Sequence, residues 1–191
     1  QAPSTFAQTC LPHLRAGQSL FELGCGNGRD ALYFARHGLR VTAIDQSEAA
    51  ITRLVELDIA CQFAPRFLRK NFAELSNHVE LEAVYSRFTL HAVPKDEASL
   101  ALAWAASALG SGGLLFVEAR SVKGSMYGLG EPREPDAFVY QGHYRRFLRS
   151  EELVAEMDEL GFALAEHVES AGLSVYKDDD PVVIRVIARK R

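Results

Sequence analysis

The stretch Leu20–Ala35, LFELGCGNGRDALYFA, places three glycines within five positions between two apolar segments. Glycine weakens the interior of helices and strands, so glycines at this density indicate a sharp bend or a group that lies close to the backbone. The residues before the glycines are typical of a buried strand, and those from Ala31 to Ala35 recur at helical spacing. The stretch therefore predicts a strand, a glycine turn and a helix, in that order.

Strand-like and helix-like segments alternate along the first 120 residues. The predicted strands are Ser19–Leu23, Arg40–Asp45, Arg66–Lys70, Leu81–Ser86, Gly113–Arg120, Leu164–Ser170 and Val182–Ala188, and the predicted helices are Arg29–His37, Ser47–Leu57, Lys95–Leu109 and Ser150–Leu160. This alternation predicts a parallel sheet with helices on both faces. The last two strands follow each other without a helix, which predicts an antiparallel pair at a sheet edge. Gly38, Gly110 and Gly161 are predicted to end three of the helices, and Ser150 to cap the N-terminus of the helix that Gly161 ends.

The glycine turn lies where parallel sheets bind ligands, at the carboxyl end of a strand. Gly24 and Gly26 allow a ligand to approach backbone N–H groups, and the following helix presents its N-terminus to the same place. Gly28 comes one residue earlier than the third glycine of the dinucleotide fingerprint, and Arg29 occupies the expected position. Asp45 ends the second strand, where a carboxylate can accept both hydroxyls of a ribose. An ordinary turn with a capping aspartate is the alternative, but the combination favours a nucleotide-like ligand.

The composition predicts one domain over residues 1–191 and disfavours several classes of protein. With 48% hydrophobic residues the chain can bury a core, and a net charge of −4 disfavours general binding to polyanions. No apolar segment approaches the roughly 20 residues of a membrane span, and the three cysteines form no CxxC pair, which together predict a cytoplasmic protein. His13, His37, His78 and His167 lack the spacing of metal ligands, so no metal is expected. The chain begins at Gln1 rather than Met, which indicates a truncated N-terminus.

ELGCGNG and AIDQS resemble the first two motifs of class I S-adenosylmethionine-dependent methyltransferases. LGCGNGRDALYFARHGLRVTAID is most similar to small bacterial enzymes of the tellurite-resistance and thiopurine methyltransferase type. The resemblance covers most of the chain, because that fold also ends in an antiparallel hairpin. It implies a single-domain, Rossmann-like α/β fold with a mostly parallel seven-stranded sheet, helices on both faces and an antiparallel C-terminal hairpin. It also implies S-adenosyl-L-methionine as cofactor and S-adenosyl-L-homocysteine as product.

The resemblance implies cofactor contacts along the carboxyl ends of four strands. The implied residues are Glu22, Gly24, Cys25, Gly26, Asn27, Gly28, Arg29, Asp45, Gln46, Asn71, Phe72, Ser86 and Arg87. Among them, Glu22 faces the amino-acid end of the cofactor and Asp45 holds the ribose hydroxyls. Asn71, in RKNFAEL, stands where the family's third motif usually has Asp, and its amide oxygen can still accept a hydrogen bond from the adenine amino group. Ser86 and Arg87 border the methionine moiety.

The segment Arg120–Arg149, RSVKGSMYGLGEPREPDAFVYQGHYRRFLR, bears on the methyl acceptor. Residues 121–146 form the longest irregular stretch of the chain and are predicted to be a lid and acceptor loop over the cofactor. The motif GHYRRF is predicted to bring together His143, Tyr144, Arg145 and Arg146. After the fourth strand the chain reads YSRFTLH, unlike the Asn/Asp-Pro-Pro-aromatic signature of nucleic-acid amino-methyltransferases of this fold. We therefore expect a small-molecule acceptor and no nucleic-acid or membrane partner.

Two acceptor chemistries are open. Methyl transfer is an in-line displacement, so positioning of the nucleophile can supply much of the catalysis. A carboxylate or phosphate is already ionised and would be bound by Arg145 and Arg146, which makes O-methylation of an anion the main prediction. A phenol, thiol or amine would instead lose a proton to His91 or His143. The ordinary alternatives are surface ion pairs for the arginines and a core position for His91.

Two further hypotheses come from other functional classes. A nicotinamide-dependent oxidoreductase would use Asp45 in the same way, but it would need the later third glycine and a parallel sixth strand. A binding module without activity would keep the fold and lose the cofactor contacts, whereas Gly24, Gly26 and Asp45 are all present. The sequence therefore favours the methyltransferase.

Overall fold

A computed structural model describes residues 2–57, 63–76 and 80–191. Its strands are β1 (Ser19–Leu23), β2 (Arg40–Asp45), β3 (Arg66–Arg69), β4 (Leu81–Arg87), β5 (Leu109–Arg120), β6 (Glu131–Glu134), β7 (Ala137–Tyr140), β8 (His143–Arg146), β9 (Phe162–Ser170) and β10 (Val183–Lys190). Its helices are α1 (Thr5–Cys10), α2 (Arg29–Arg36), α3 (Glu48–Val55), α4 (Lys95–Ala108) and α5 (Ser150–Glu159), with short 3-10 turns at Leu11–His13 and Phe72–Glu74. Cys61 and His78 lie outside the described residues.

The described residues form a seven-stranded sheet in the order β3-β2-β1-β4-β5-β10-β9. The first five strands are parallel, whereas β10 runs antiparallel to both β5 and β9. The predicted mostly parallel sheet with an antiparallel C-terminal pair is therefore confirmed. No described helix is both long and apolar enough to cross a bilayer.

Helices cover both faces of this sheet, as predicted. On one face the sheet packs against α1, α2 and α3 through side chains such as Phe6, Phe34 and Leu54. On the other face it packs against α4 and α5 through Leu102 and Met157. Alternate residues of each buried strand supply the two cores, because successive side chains of a strand point to opposite faces.

The glycine turn between β1 and α2 has three left-handed residues, with φ of 68° at Gly24, 54° at Gly26 and 72° at Gly28. A Cβ at Gly28 would lie 2.5 Å from Cδ2 of Leu54, so α3 packs where a side chain would stand. A Cβ at Gly24 would lie 2.5 Å from Oγ1 of Thr89. At Gly26 a Cβ would meet no atom of the described residues within 4 Å. Two of the glycines are thus required by packing, and Gly26 leaves open space beside the backbone.

The structure corrects the prediction that residues 121–146 are irregular. This segment contains a small antiparallel sheet in the order β6-β7-β8. Each of these strands has four residues, too few for alternation to stand out in the sequence. Two turn residues, Asp136 and Gln141, adopt positive φ although neither is glycine. Short strands and unusual turn residues hide this sheet from pattern analysis.

The predicted helix ends were partly wrong. Gly38 and Gly161 follow α2 and α5 with φ of 84°, as expected for residues that end a helix. Gly110 does not end a helix, because α4 continues directly into β5 and places Gly110 inside the strand. Ser150 is the first residue of α5 rather than its cap, and its hydroxyl lies 2.6 Å from Nε2 of His167.

Candidate active site

A cleft of about 390 Å³ opens beyond the carboxyl ends of β1, β2 and β4. It brings together most of the residues for which a cofactor contact was predicted: Glu22, Gly24, Cys25, Gly26, Asn27, Arg29, Asp45, Gln46, Asn71, Phe72 and Arg87. Two predicted residues do not line it. Gly28 packs against Leu54, and Ser86 is buried inside β4, where its hydroxyl has no hydrogen-bond partner in the described part of the chain. The three motifs therefore meet at one place, as parallel neighbouring strands require.

Asp45 is held rigidly at the end of β2. Its Oδ2 accepts a hydrogen bond from the N–H of Gly26, and its Oδ1 accepts one from the N–H of Ser47, both over 2.8 Å. Each carboxylate oxygen can accept a second hydrogen bond. The carboxylate is therefore oriented by the backbone and keeps the capacity to accept two hydroxyls.

Glu22 is a buried carboxylate that lacks one partner. It lies in β1 and is 4% exposed, and its Oε2 has no hydrogen-bond partner among the residues that the structure describes. Burial raises the pKa of Glu22 well above its usual value, with a further rise from Asp30 and Asp45 and an opposing effect from Arg87. An unpartnered buried acceptor is costly, so its presence in a cleft indicates a donor or cationic group of a ligand. The ammonium group of an amino acid has this chemistry.

Asp30 anchors the N-terminal segment beside the cleft. Its carboxylate accepts hydrogen bonds from the N–H and the hydroxyl of Ser4, both over 2.7 Å, and from the hydroxyl of Tyr85 over 2.9 Å. Asp30 also lines the cleft, a role that the sequence did not predict. Its place directly after Arg29, in the first turn of α2, was an available signal.

Asn71 caps the short turn that follows β3. Its Oδ1 accepts a hydrogen bond from the N–H of Glu74 over 3.2 Å, and a carboxylate oxygen of Glu74 accepts one from the N–H of Asn71 over 3.0 Å. This reciprocal cap uses the oxygen that was predicted to accept from adenine. Asn71 and Phe72 both line the cleft, and their contacts with adenine stay a prediction.

The loop after β4 supplies cleft residues that sequence analysis missed, above all Phe88 and Thr89. Phe88 adopts a left-handed conformation with φ of 57°, and its N–H donates to the carbonyl oxygen of Glu118 over 2.8 Å. The Cζ atoms of Arg87 and Arg120 lie 4.3 Å and 5.5 Å from the centre of its ring. Bulky residues rarely adopt positive φ, so no sequence signal indicated this position.

The arginines around Phe88 differ in their partners. Glu118 is fully buried and pairs with Arg87 over 2.8 Å and with Arg185 over 2.6 Å. Arg120 pairs with Asp179 over 2.5 Å. The Arg145 guanidinium donates to the carbonyl oxygen of Tyr140 over 3.2 Å, and in the described part of the chain no carboxylate lies within ion-pair distance of it. Arg145 therefore keeps an unneutralised charge near this cluster.

The GHYRRF motif does not form the single cluster that was predicted. It lies in β8, where successive side chains point to opposite faces. The Arg146 guanidinium donates to the carbonyl oxygens of Leu90 over 2.9 Å and Val93 over 3.4 Å, so it stabilises the chain after β4. His143 is exposed, and neither His143 nor the two arginines line the cleft.

His91 is buried and its ring is already engaged. Its Nδ1 accepts a hydrogen bond from the N–H of Arg120 over 3.2 Å, which leaves the proton of the neutral ring on Nε2. Burial, together with the charges of Arg120, Arg145 and Arg146, lowers the pKa of His91 to about 3. His91 does not line the cleft. These observations disfavour His91 as a general base.

Metal and thiol chemistry have little support. Within the residues described, no group of three or more His, Cys, Asp and Glu side chains is arranged to hold a metal ion. The Cys25 thiol is buried in the glycine turn, and burial raises its pKa well above the usual value. Cys25 is thus a neutral packing group at neutral pH.

The geometry of the cleft fits S-adenosylmethionine. Asp45 can hold the ribose hydroxyls, the unpartnered Glu22 oxygen suits the ammonium group, and the open space at Gly26 admits a ligand against the backbone. Burial of Glu22 beside two other carboxylates also suits a ligand that carries positive charge.

Comparisons with known proteins agree. Residues 2–167 match the model of the methyltransferase domain family. A 32-residue part of the chain is 56% identical to an S-adenosyl-L-methionine-dependent Diels-Alderase from Talaromyces variabilis, but that part covers 17% of this chain and only 11% of the relative.

Three solved structures share the fold. A SAM-dependent methyltransferase from Methanosarcina mazei is 19% identical, with a TM-score of 0.79 over 94% of this chain and 95% of the other. The 1,6-didemethyltoxoflavin-N1-methyltransferase from Burkholderia thailandensis is also 19% identical, with a TM-score of 0.73 over 97% of this chain and 76% of the other. A TehB-like SAM-dependent methyltransferase from Corynebacterium glutamicum is 16% identical, with a TM-score of 0.71 over 98% of this chain and 88% of the other.

At these identities the solved structures support the fold, whereas the family model covers most of the chain. The chain therefore belongs to the methyltransferase domain family.

Proposed function

We propose that the protein transfers the methyl group of S-adenosylmethionine to an oxygen of a small molecule that is already anionic, of the carboxylate or phosphate type. The observation that carries this proposal is Arg145, a half-buried guanidinium without a carboxylate partner among the described residues. Its near neighbour Arg120 packs over Phe88, which lines the cofactor cleft. A bound anion would balance this charge, whereas an amine would add to it.

The histidines support the same proposal. His91 uses Nδ1 as an acceptor and is kept neutral by burial, and His143 is exposed and outside the cleft. Neither is placed to remove a proton from a phenol, thiol or amine in this conformation. An acceptor that is ionised before it binds needs no such base.

Each residue would then have a specific task. When bound, S-adenosylmethionine supplies an electrophilic methyl group on a positively charged sulfur. Asp45 and Glu22 would fix the position of the cofactor, and Arg145 with Arg120 would orient the acceptor oxygen. Phe88 would give the cofactor and the acceptor an apolar wall beside the reacting atoms. Catalysis would come mainly from holding the nucleophile in line.

A turnover screen tests the proposal. Purified protein and S-adenosylmethionine are incubated with carboxylates, phosphorylated metabolites, phenols, thiols and amines, and formation of S-adenosylhomocysteine is measured. We expect turnover with a carboxylate or phosphate compound and no increase through neutral pH. Turnover confined to phenols, thiols or amines would overturn the anionic acceptor and support base-assisted transfer.

Calorimetry addresses the oxidoreductase alternative. We expect heat of binding with S-adenosylhomocysteine and none with NAD, because the third glycine comes too early for the dinucleotide fingerprint. Binding of NAD without a response to S-adenosylhomocysteine would reject the proposed methyl transfer altogether.

A further inference from the structure

The connection between β9 and β10 places a carboxylate on an arginine of the proposed acceptor site. Asp179 lies in this connection and pairs with Arg120 over 2.5 Å. The Arg120 side chain is 12% exposed, whereas that of Asp179 is 41% exposed. The pair therefore joins a nearly buried cation to a carboxylate at the surface of the protein.

The charges around this pair do not balance. Glu118 is buried between Arg87 and Arg185 and has no freedom to leave them. Asp179 is thus the accessible carboxylate of the cluster. Burial and then the charge of Arg120 lower the pKa of Arg145, and the charge of Asp179 acts in the opposite direction. Among the described residues, Arg120 has Asp179 as its ion-pair partner and Arg145 has none.

The turn that carries Asp179 is held mainly by backbone hydrogen bonds within the turn. The backbone N–H groups of Tyr176 and Asp179 each donate to the other's carbonyl oxygen, over 2.8 Å and 3.0 Å. The side chains of Val175 and Tyr176 are 59% and 67% exposed, so a shift of this turn exposes little buried surface.

Firm anchors flank the turn on both sides. Ser174 accepts a hydrogen bond from Arg87 over 3.0 Å, and the carbonyl oxygen of Val182 accepts one from the N–H of Ser121 over 3.0 Å. The turn between them can therefore change position while its ends stay in place.

We propose that Asp179 determines the charge specificity of the acceptor site, because its carboxylate occupies on Arg120 the place that the anionic group of the acceptor takes. The inference rests on the proposed anionic acceptor. An anion can replace Asp179 on Arg120 and bridge to Arg145, whereas a neutral compound cannot offer an equivalent partner. Because Asp179 competes with the acceptor for Arg120, it lowers the affinity of the site for every ligand. Only an anionic ligand can displace the Asp179 carboxylate.

The test measures binding of inorganic phosphate to the protein loaded with S-adenosylhomocysteine, by NMR titration of arginine side-chain signals. We expect Asp179→Asn to bind phosphate about 3- to 5-fold more tightly than the wild type, the scale of a partly exposed ion pair. Asp178→Asn, which removes the same charge from an exposed neighbour, is the matched control and should bind as the wild type does. Asp179→Glu keeps the carboxylate and should also bind like the wild type.

The outcomes separate this inference from the proposed function. Equal or weaker phosphate binding by Asp179→Asn would overturn the role of Asp179 and leave an anion site in place. If Asp178→Asn gained phosphate affinity by the same factor, the role of Asp179 would also be overturned. The gain would then come from the loss of any negative charge in this turn. Absence of phosphate binding in every variant would reject both the inference and the anionic acceptor.

Discussion

Asp45 accepts a hydrogen bond from the backbone N–H of Gly26 over 2.8 Å, so the end of β2 is bonded directly to the glycine turn after β1. The two strands are parallel neighbours, and Leu23, the last residue of β1, pairs with Ile44, the residue before Asp45. The two cofactor motifs thus form one hydrogen-bonded unit. Asp45 orients the turn and remains available to a ligand.

We expect Asp45→Ala to weaken binding of S-adenosylhomocysteine by about 2–4 kcal/mol, because it removes a charged acceptor from two hydroxyls. Isothermal titration calorimetry measures this change. Glu48→Ala, which removes an exposed carboxylate three residues away, is the control and should change affinity little. Unchanged affinity in Asp45→Ala would show that Asp45 serves only to hold the backbone.

Glu22→Gln should have opposite effects on stability and on cofactor binding. Because burial raises the pKa of Glu22 above its value in the unfolded chain, the ionised carboxylate destabilises the folded protein above that unfolded value. We therefore expect a higher melting temperature without ligand at pH 7, together with weaker binding of S-adenosylhomocysteine.

Glu82→Gln is the control for Glu22→Gln. Glu82 accepts a hydrogen bond from the N–H of Ser19 over 2.8 Å, and this hydrogen bond lowers its pKa. Loss of its charge should therefore not stabilise the protein and should leave the cofactor affinity intact. A Glu22→Gln protein that melts no higher than the wild type would contradict the inferred cost of the buried carboxylate.

Substitution of Arg145 and of Arg146, neighbours in β8, should have different effects. Arg145→Ala should raise the KM for a carboxylate or phosphate acceptor at least tenfold with little change in stability, on the scale of a lost charge-assisted hydrogen bond. Arg146→Ala should instead lower the free energy of unfolding by about 1–3 kcal/mol, because two carbonyl oxygens lose their donor.

Steady-state kinetics and urea unfolding of these two variants distinguish the roles. Each variant controls for the other, since both remove one arginine from the same short strand. Both should bind S-adenosylhomocysteine as the wild type does. A rise in acceptor KM for Arg146→Ala without loss of stability would restore the sequence-based hypothesis that both arginines bind the acceptor.

His91 should make stability depend on pH between about 6.5 and 3. The folded-state pKa lies near 3 and the ordinary value near 6.5, so between them only the unfolded chain binds a proton and stability falls as the pH falls. From pH 7 to pH 5 the wild type should lose about 2 kcal/mol more than His91→Asn, which keeps an acceptor for the Arg120 N–H. Urea unfolding at both pH values provides the measurement, and parallel losses would mean that folded His91 titrates normally.

Residues 121–146 should gain protection from hydrogen exchange when S-adenosylhomocysteine and an acceptor bind, as expected of a lid. The small sheet is attached through Asp136, which pairs with Arg149 over 2.8 Å, so we expect closure as a unit and not folding from a disordered loop. Amide hydrogen exchange in β10, which lies inside the large sheet, should not change with ligands and serves as the internal reference. Strong and equal protection of the segment with and without ligands would show a fixed structural element.

The sequence by itself determined the strands and the glycine turn that form the cleft. The strand, glycine turn and helix of Leu20–Ala35 and the carboxylate of Asp45 were predicted correctly, because apolar periodicity and glycine are local signals. Strand ends of a parallel sheet meet at one edge, so the motifs that follow them had to meet as well. The antiparallel C-terminal pair was also predicted from a local signal, because no helix separates its two strands in the sequence.

The surroundings of the arginines proposed to bind the acceptor were decided by tertiary structure. Arg145 and Arg146 are adjacent in the sequence, yet the alternation of β8 gives one an unbalanced charge and the other two carbonyl oxygens of a distant loop. Phe88 and Asp179 join the site through contacts with Arg120 from different parts of the chain. No local pattern encodes such contacts, because they depend on which surfaces meet when the helices and strands pack.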